Sequence, residues 1–157
     1  MANHLKREKQ VQIAGLLVEG CSIRSIERIT RVHRDTIMRL AIRVGQHCDT
    51  IMAERLHGLR CEELQLDELW GFNGKKQRQV RPDDPREFGD AYTFIALDPL
   101  SKLVVHHRTR KRSEQTTRLF MEELSNRVVG HTHISVDGFR DTHGAATAAR
   151  RMLSDGI

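Results

Sequence analysis

Aromatic side chains are scarce in this chain: one Trp, one Tyr and five Phe among 157 residues. Any core must therefore be largely aliphatic, drawn from a hydrophobic fraction of 38%. No run of 18 apolar residues occurs, and the sequence opens MANHLKREKQ, with no apolar stretch behind a charged cap. Neither a membrane-spanning helix nor a secretory leader is expected, and the expected compartment is the cytoplasm. Cysteine is also sparse. Cys21, Cys48 and Cys61 lack CxxC spacing, which argues against a disulfide framework or a cysteine zinc site and leaves free thiols as the expectation. The length suits one ordinary domain, or a small domain of about 50 residues followed by a second compact one.

What is present is a lopsided charge. Residues 1–60 hold 11 Lys and Arg against 6 Asp and Glu, while residues 61–157 hold 15 of each, so the whole excess of +5 lies in the front part. That asymmetry points to a nucleic-acid-binding front end on a neutral remainder, although a merely solvated basic face gives the same count.

Apolar spacing divides the front part into helices. Val11, Ala14, Leu17 and Val18 predict one, closed by Gly20. Ser22 is a plausible N-cap for a second, with Ile23, Ile26 and Ile29 on its inner stripe. After Arg31-Val32-His33, a third opens at Asp35 or Thr36, with Ile37, Leu40 and Val44 inward and Arg34, Arg39 and Arg43 outward. A tight break between the second and third helices is the helix-turn-helix arrangement, whose third helix meets base edges in the major groove. Arg34, Thr36, Arg39 and Arg43 are the candidate DNA contacts. Arg31 stands where the turn often holds Gly, and a left-handed conformation there costs roughly 1 kcal/mol. A plain three-helix bundle with a basic surface is the competing account. The pattern Cys48, Ile51, Met52, Leu56 then reads as a connecting helix or a packing arm.

Beyond Cys61 the pattern changes. LQLDELWGF, AYTFIAL, KLVVHHRT and HISVDGF read as strands; the charged loop KKQRQVRPDDPREFGD follows the first, an Asp98-Pro99 turn joins the second to the third, and a helix capped by Ser113 lies between the third and fourth, with Phe120, Leu124 and Val128 on its stripe. The first strand raises a physical question, because Asp67 and Glu68 sit inside an otherwise apolar run, and a buried unpaired carboxylate is costly. Alternation puts Asp67 on one face with Gln65 and Leu69, and Glu68 on the other with Leu66 and Trp70. If the first and fourth strands are neighbours, Asp67 and Asp137 can meet at the sheet's end, where hard oxygen ligands suit Mg²⁺ or Mn²⁺; aspartates in strand-end turns are the plainer alternative. Lys75, Lys76 and Arg78 just after the first strand are candidates to track DNA phosphates, on a par with a solvated hairpin, and the basic run RTRKRS is a further candidate. Trp70 is expected in the core rather than as a base-stacking platform, and the pairs His106-His107 and His131/His133 are expected to face solvent rather than to bind metal.

The stretches LVEGCSIRSIERITRVHRDTI, LQLDELWGFNGKK, GDAYTFIALDPLSKLVV and SVDGFR, in this order and spacing, resemble transposases of the insertion-sequence-one family. The resemblance implies an α/β chain with an N-terminal helix-turn-helix (1–45), a connecting helix (46–60) and an incomplete RNase H-like mixed-sheet domain (61–157). It further implies a metal-dependent DDE mechanism, with Asp67 and Asp137 as the first two acids and as ligands of Mg²⁺ or Mn²⁺. The implied partner is double-stranded DNA at the terminal repeats of a mobile element, and a homo-oligomer is admitted. The family's third acid, a Glu on a helix a little over 20 residues beyond the second Asp, has no counterpart, because the last Glu is Glu123. A truncated or frameshifted copy, or one part of a longer product, is expected, and the 157-residue chain should be catalytically defective. A non-enzymatic helix-turn-helix protein that limits transposition is the alternative.

Overall fold

The computed structural model of the protein describes residues 5–136. They form four helices and a mixed four-stranded sheet, and the chain divides into two compact units, Met1–Arg55 and Leu56–Ile157.

The first unit holds α1 (Arg7–Val18), α2 (Ile23–Thr30) and α3 (Arg34–Arg55). Helix α1 stops where glycine permits it. Gly20 adopts φ 74°, its N–H donates to the Leu17 carbonyl, and the Cys21 N–H donates to that of Leu16, satisfying two carbonyls that the helix end leaves open. Ser22 then caps α2, its Oγ accepting the Ser25 N–H at 3.2 Å. The core is Ile13, Ile26, Ile37 and Leu40, with Leu5, Leu16, Leu17, Cys21, Ile23 and Val32 packed around it. Each such aliphatic side chain, fully buried, contributes about 1.5–3 kcal/mol.

This inner face differs from the sequence expectation. Ile13 points inward in α1, while Val11 and Val18 are 65% and 87% exposed. In α2, Ile29 is exposed and Thr30 is buried, its hydroxyl donating to the Ile26 carbonyl at 2.7 Å. In α3, Ile37 and Leu40 are inward as expected but Val44 is not. The third helix continues from Arg34 to Arg55, into the stretch read as a connecting helix.

The second unit contains β1 (Glu63–Asn73), a short 3₁₀ turn (Gln77–Gln79), β2 (Gly89–Asp98), β3 (Leu103–Arg110), α4 (Glu114–Ser125) and β4 (His133–Val136). Sheet order is β3-β2-β1-β4, with the first three strands antiparallel and β4 parallel to β1. A parallel return requires a crossover, which α4 supplies. Ser113 caps α4 by accepting the Thr116 N–H at 3.1 Å. Phe120 and Leu124 are buried on its inner stripe, and Val128, beyond the helix end, completes the row and bridges to Leu59. They pack on Leu64, Leu66, Phe94, Ala96, Val105 and Ile134. The other sheet face carries Gln65, Asp67 and Leu69 from β1, all exposed. No described helix is long and apolar enough to cross a membrane.

Candidate functional site

The turn between α2 and α3 is where the first unit departs from ordinary helix. Arg31 takes the left-handed conformation, φ 60° and ψ 20°, and its N–H donates to the Glu27 carbonyl. The Glu27 side chain also reaches across the turn, its Oε1 accepting the Arg34 N–H at 2.9 Å. A carboxylate at a helix N-terminus satisfies an open donor and the helix dipole together. Arg34, Arg39 and Arg43 are exposed, as the sequence predicts, and Thr36 is half-buried with its hydroxyl 3.4 Å from Arg39 Nη2. These four side chains share one helix and three of its turns.

In the second unit the neighbouring carboxylates of β1 have opposite surroundings. Glu68 lies on the face that carries Leu64 and Leu66, and Arg112 meets it with Nε 3.4 Å from Oε2. That guanidinium also lies over the Tyr92 ring, 5.5 Å from its centroid. So the partner anticipated within this strand serves Glu68. Asp67 is exposed on the open face; its Oδ1 accepts the following N–H at 2.7 Å, and its other oxygen has no hydrogen-bond partner among the described residues. It therefore has the donor chemistry for a hard cation, one carboxylate oxygen open to solvent. One carboxylate does not hold a metal pair, and among the described residues no three His, Cys, Asp or Glu side chains converge. Asp137 lies outside the described residues. The last described rung of the β1–β4 pairing is Leu66–Val136.

The basic candidates divide by partner. Lys75 is held by Asp84, with Nζ 2.6 and 2.8 Å from its two oxygens, and this hydrogen bond, with the Arg81 N–H, keeps the Asp84 carboxyl below the usual range. Lys76 instead places Nζ 5.6 Å from the Trp70 ring centroid and 6.0 Å from that of Phe72. Trp70 is not a core residue; it is 52% exposed, because α4 covers β1 only as far as its middle. In RTRKRS, Arg108 and Arg112 turn to Glu123 and Glu68, leaving Arg110 and Lys111 exposed.

His106 also departs from expectation. A bulge between Ala96 and Leu97 breaks the alternation of β3, and the consecutive Val105 and His106 are both buried. His106 Nε2 lies 3.0 Å from Glu123 Oε2, Arg108 binds the other oxygen, and the imidazole stacks on Phe120 at 5.1 Å. Burial, and then Arg127, lower the His106 pKa against the opposing pull of Glu123. The contact is therefore a hydrogen bond from a neutral ring at neutral pH. Burial would raise Glu123, but Arg108 and His106 together bring it below the ordinary value. No local pattern in the chain marks this network, whose members come from β3 and α4.

No family model and no curated protein matches the chain. Solved structures similar to it include the Mos1 strand transfer complex (13% identity, TM-score 0.36), a Mos1 transposase paired-end complex with left transposon end (14%, 0.35) and a pre-cleavage Mos1 transpososome (14%, 0.36). The matches cover 96%, 99% and 99% of this chain and 57%, 58% and 59% of the respective Mos1 chains, so the chain spans less than two thirds of their length. At this degree of similarity, fold and function rest on the chain's own residues.

Proposed function

We propose that this chain is part of a transposase related to the insertion-sequence-one family. Residues 1–45 form a helix-turn-helix that binds double-stranded DNA at element ends, 46–60 connect it, and 61–157 form an RNase H-like domain carrying Asp67 and Asp137 as acids of a DDE set. The observation that carries the DNA-binding role is the α2–α3 turn: a left-handed Arg31, Glu27 closing the start of α3, and Arg34, Arg39 and Arg43 exposed along that helix. A helix so presented fits the major groove, with arginines available to phosphates and to guanine edges.

Support for the acidic site comes from topology. Three antiparallel strands, a crossover helix and a fourth strand parallel to the first suit an RNase H-like sheet, and the last described rung, Leu66–Val136, immediately precedes Asp67 and Asp137 in the sequence. The two aspartates would hold Mg²⁺ or Mn²⁺, which when bound activates a water or hydroxyl and stabilises the leaving oxygen in phosphodiester transfer. Asp67 contributes an exposed oxygen, and the α3 arginines hold the duplex.

A second reading has its own observation. Among the described residues no three acidic or imidazole side chains converge, whereas the α3 arginines are exposed, which favours a chain that binds DNA without cleaving it. It would then act through its helices, occupying element ends and limiting transposition. Selection from a random duplex library, followed by a Mg²⁺ nicking assay on the selected sequence, tests both. Sequence-selective binding without nicking fits the second reading, nicking abolished by Asp67→Ala establishes the enzyme, and no duplex binding at low salt overturns both.

A further inference from the structure

The outer half of β1 leaves two large rings in water in a chain that has few. Trp70 is 52% and Phe72 49% exposed, their centroids 6.1 Å apart and their planes tilted by 43°. Leaving such rings half uncovered forgoes part of the free energy their burial would supply, and adjacent exposed rings commonly mark an interaction surface. Lys76 Nζ sits near both ring centroids. Trp70, Lys76, Gln77, Arg78 and Asp90 line a shallow depression there.

Backbone contacts fix the shape of this patch. The Gln77 N–H donates to Asp90 Oδ1 at 3.2 Å, and the Asp90 N–H donates to Gln77 Oε1 at 3.3 Å. The one acid of the depression is thus engaged by the backbone, while Lys76 and Arg78 are exposed cations. At the start of the loop, Gly74 adopts φ 63° with the Phe88 ring 2.5 Å from where a Cβ would stand, so only glycine fits.

We infer that Trp70, Phe72 and Lys76 form a stacking platform for unpaired bases of a single-stranded DNA segment, with Lys76 and Arg78 meeting the flanking phosphates. The chemistry selects that ligand. Indole and phenyl faces take any base, the cations complement phosphate, and only unpaired nucleotides offer both, since a duplex hides its base faces. The inference deepens the proposed function and rests on it for the ligand's origin: DNA ends opened for strand transfer expose such nucleotides.

Trp70 is the sole tryptophan, so the emission of the whole protein reports on this patch alone. Titrating the full chain with a short oligothymidylate should quench that emission, whereas inorganic polyphosphate, which matches the charge without bases, should not. With a labelled oligothymidylate, Trp70→Ala should weaken binding roughly 5- to 150-fold, the range for loss of one stacked base. Trp70→Phe should retain most of the affinity, and circular dichroism should show both variants folded, because the ring is exposed. Equal quenching by polyphosphate, or unchanged oligothymidylate affinity in Trp70→Ala, overturns the platform. So does emission that shifts with protein concentration alone and tracks a dimer that Trp70→Ala dissolves, which assigns the patch to a second copy of the chain. The double variant Arg34→Ala/Arg39→Ala separates the two readings. Loss of its duplex binding with quenching intact supports both; duplex binding in the parent chain without quenching leaves the helix-turn-helix standing and removes the platform; quenching in a parent chain that binds no duplex removes the proposed function and leaves the platform.

Discussion

The two units place their charged residues in opposite ways. In the first, four aliphatic side chains make the buried core and the arginines of α3 stand outside it. In the second, charged side chains enter the packing: Glu123 joins His106 to Arg108 beneath α4, and Arg112 joins Glu68 to Tyr92. Charge on the first unit is thus available to a partner, whereas much of the charge around the second unit's core is already engaged. The same residue type therefore has different consequences in each. An arginine of α3 can be removed without disturbing packing, but Arg108 or Arg112 cannot.

The largest effect should come from the small core. Ile26→Ala removes a fully buried side chain from a cluster of four and should destabilise the first unit by about 2–5 kcal/mol. For a unit of this size, that loss should appear in urea denaturation as an early transition, while the sheet unit melts as before. A single shifted transition for the whole chain would mean the units do not fold independently, and would break the comparison.

Next come the engaged charges. Glu68→Ala strands Arg112 and should cost about 1–3 kcal/mol, while Asp67→Ala, one residue away and exposed, should lie within about 0.5 kcal/mol of the parent. Equal losses at the two positions in thermal melts would show that the faces of β1 have been assigned wrongly. Glu123→Gln, a partly exposed site where solvent weakens the ion pair, should cost about 1 kcal/mol.

The pH dependence follows from the same network. His106 has a lowered pKa, so the unfolded chain binds the proton more readily and stability falls as pH drops below the ordinary value of 6.5. Glu123 also has a lowered pKa; its contribution is present above the ordinary value of 4.5 and is lost as pH falls from there through its folded value. Denaturation midpoints should therefore decline in two stages on acidification, and His106→Gln should remove the upper one. A flat profile between pH 7 and 5 in the parent protein would contradict the burial of that imidazole.

The smallest stability effect is the most informative about function. Arg34→Ala with Arg39→Ala should change the melting free energy by no more than about 0.5 kcal/mol, yet lower the slope of log affinity against log salt by about 2 if both arginines contact phosphate. Reduced binding that merely follows lost folding would remove the distinction between the units.

Local chemistry was legible in the sequence because it is set by near neighbours. Ser22 and Ser113 cap the helices they precede, Gly20 takes the left-handed position that ends α1, and the element order follows the change of apolar period. The lopsided charge and the parity of Asp67 and Glu68 along β1 were equally local. Tertiary structure decided what parity and period leave free. In α1, apolar residues fall all around the helix, so only packing against α2 and α3 selects Ile13 over Val11 and Val18. On β1, alternation separates two faces, but α4 decides which is covered and how far, burying Leu64 and Leu66 and leaving Trp70 and Phe72 in water. A bulge breaks the alternation of β3 and buries His106. In each case the period along the chain fixes which side chains share a face, and only a partner distant in sequence determines whether that face is buried.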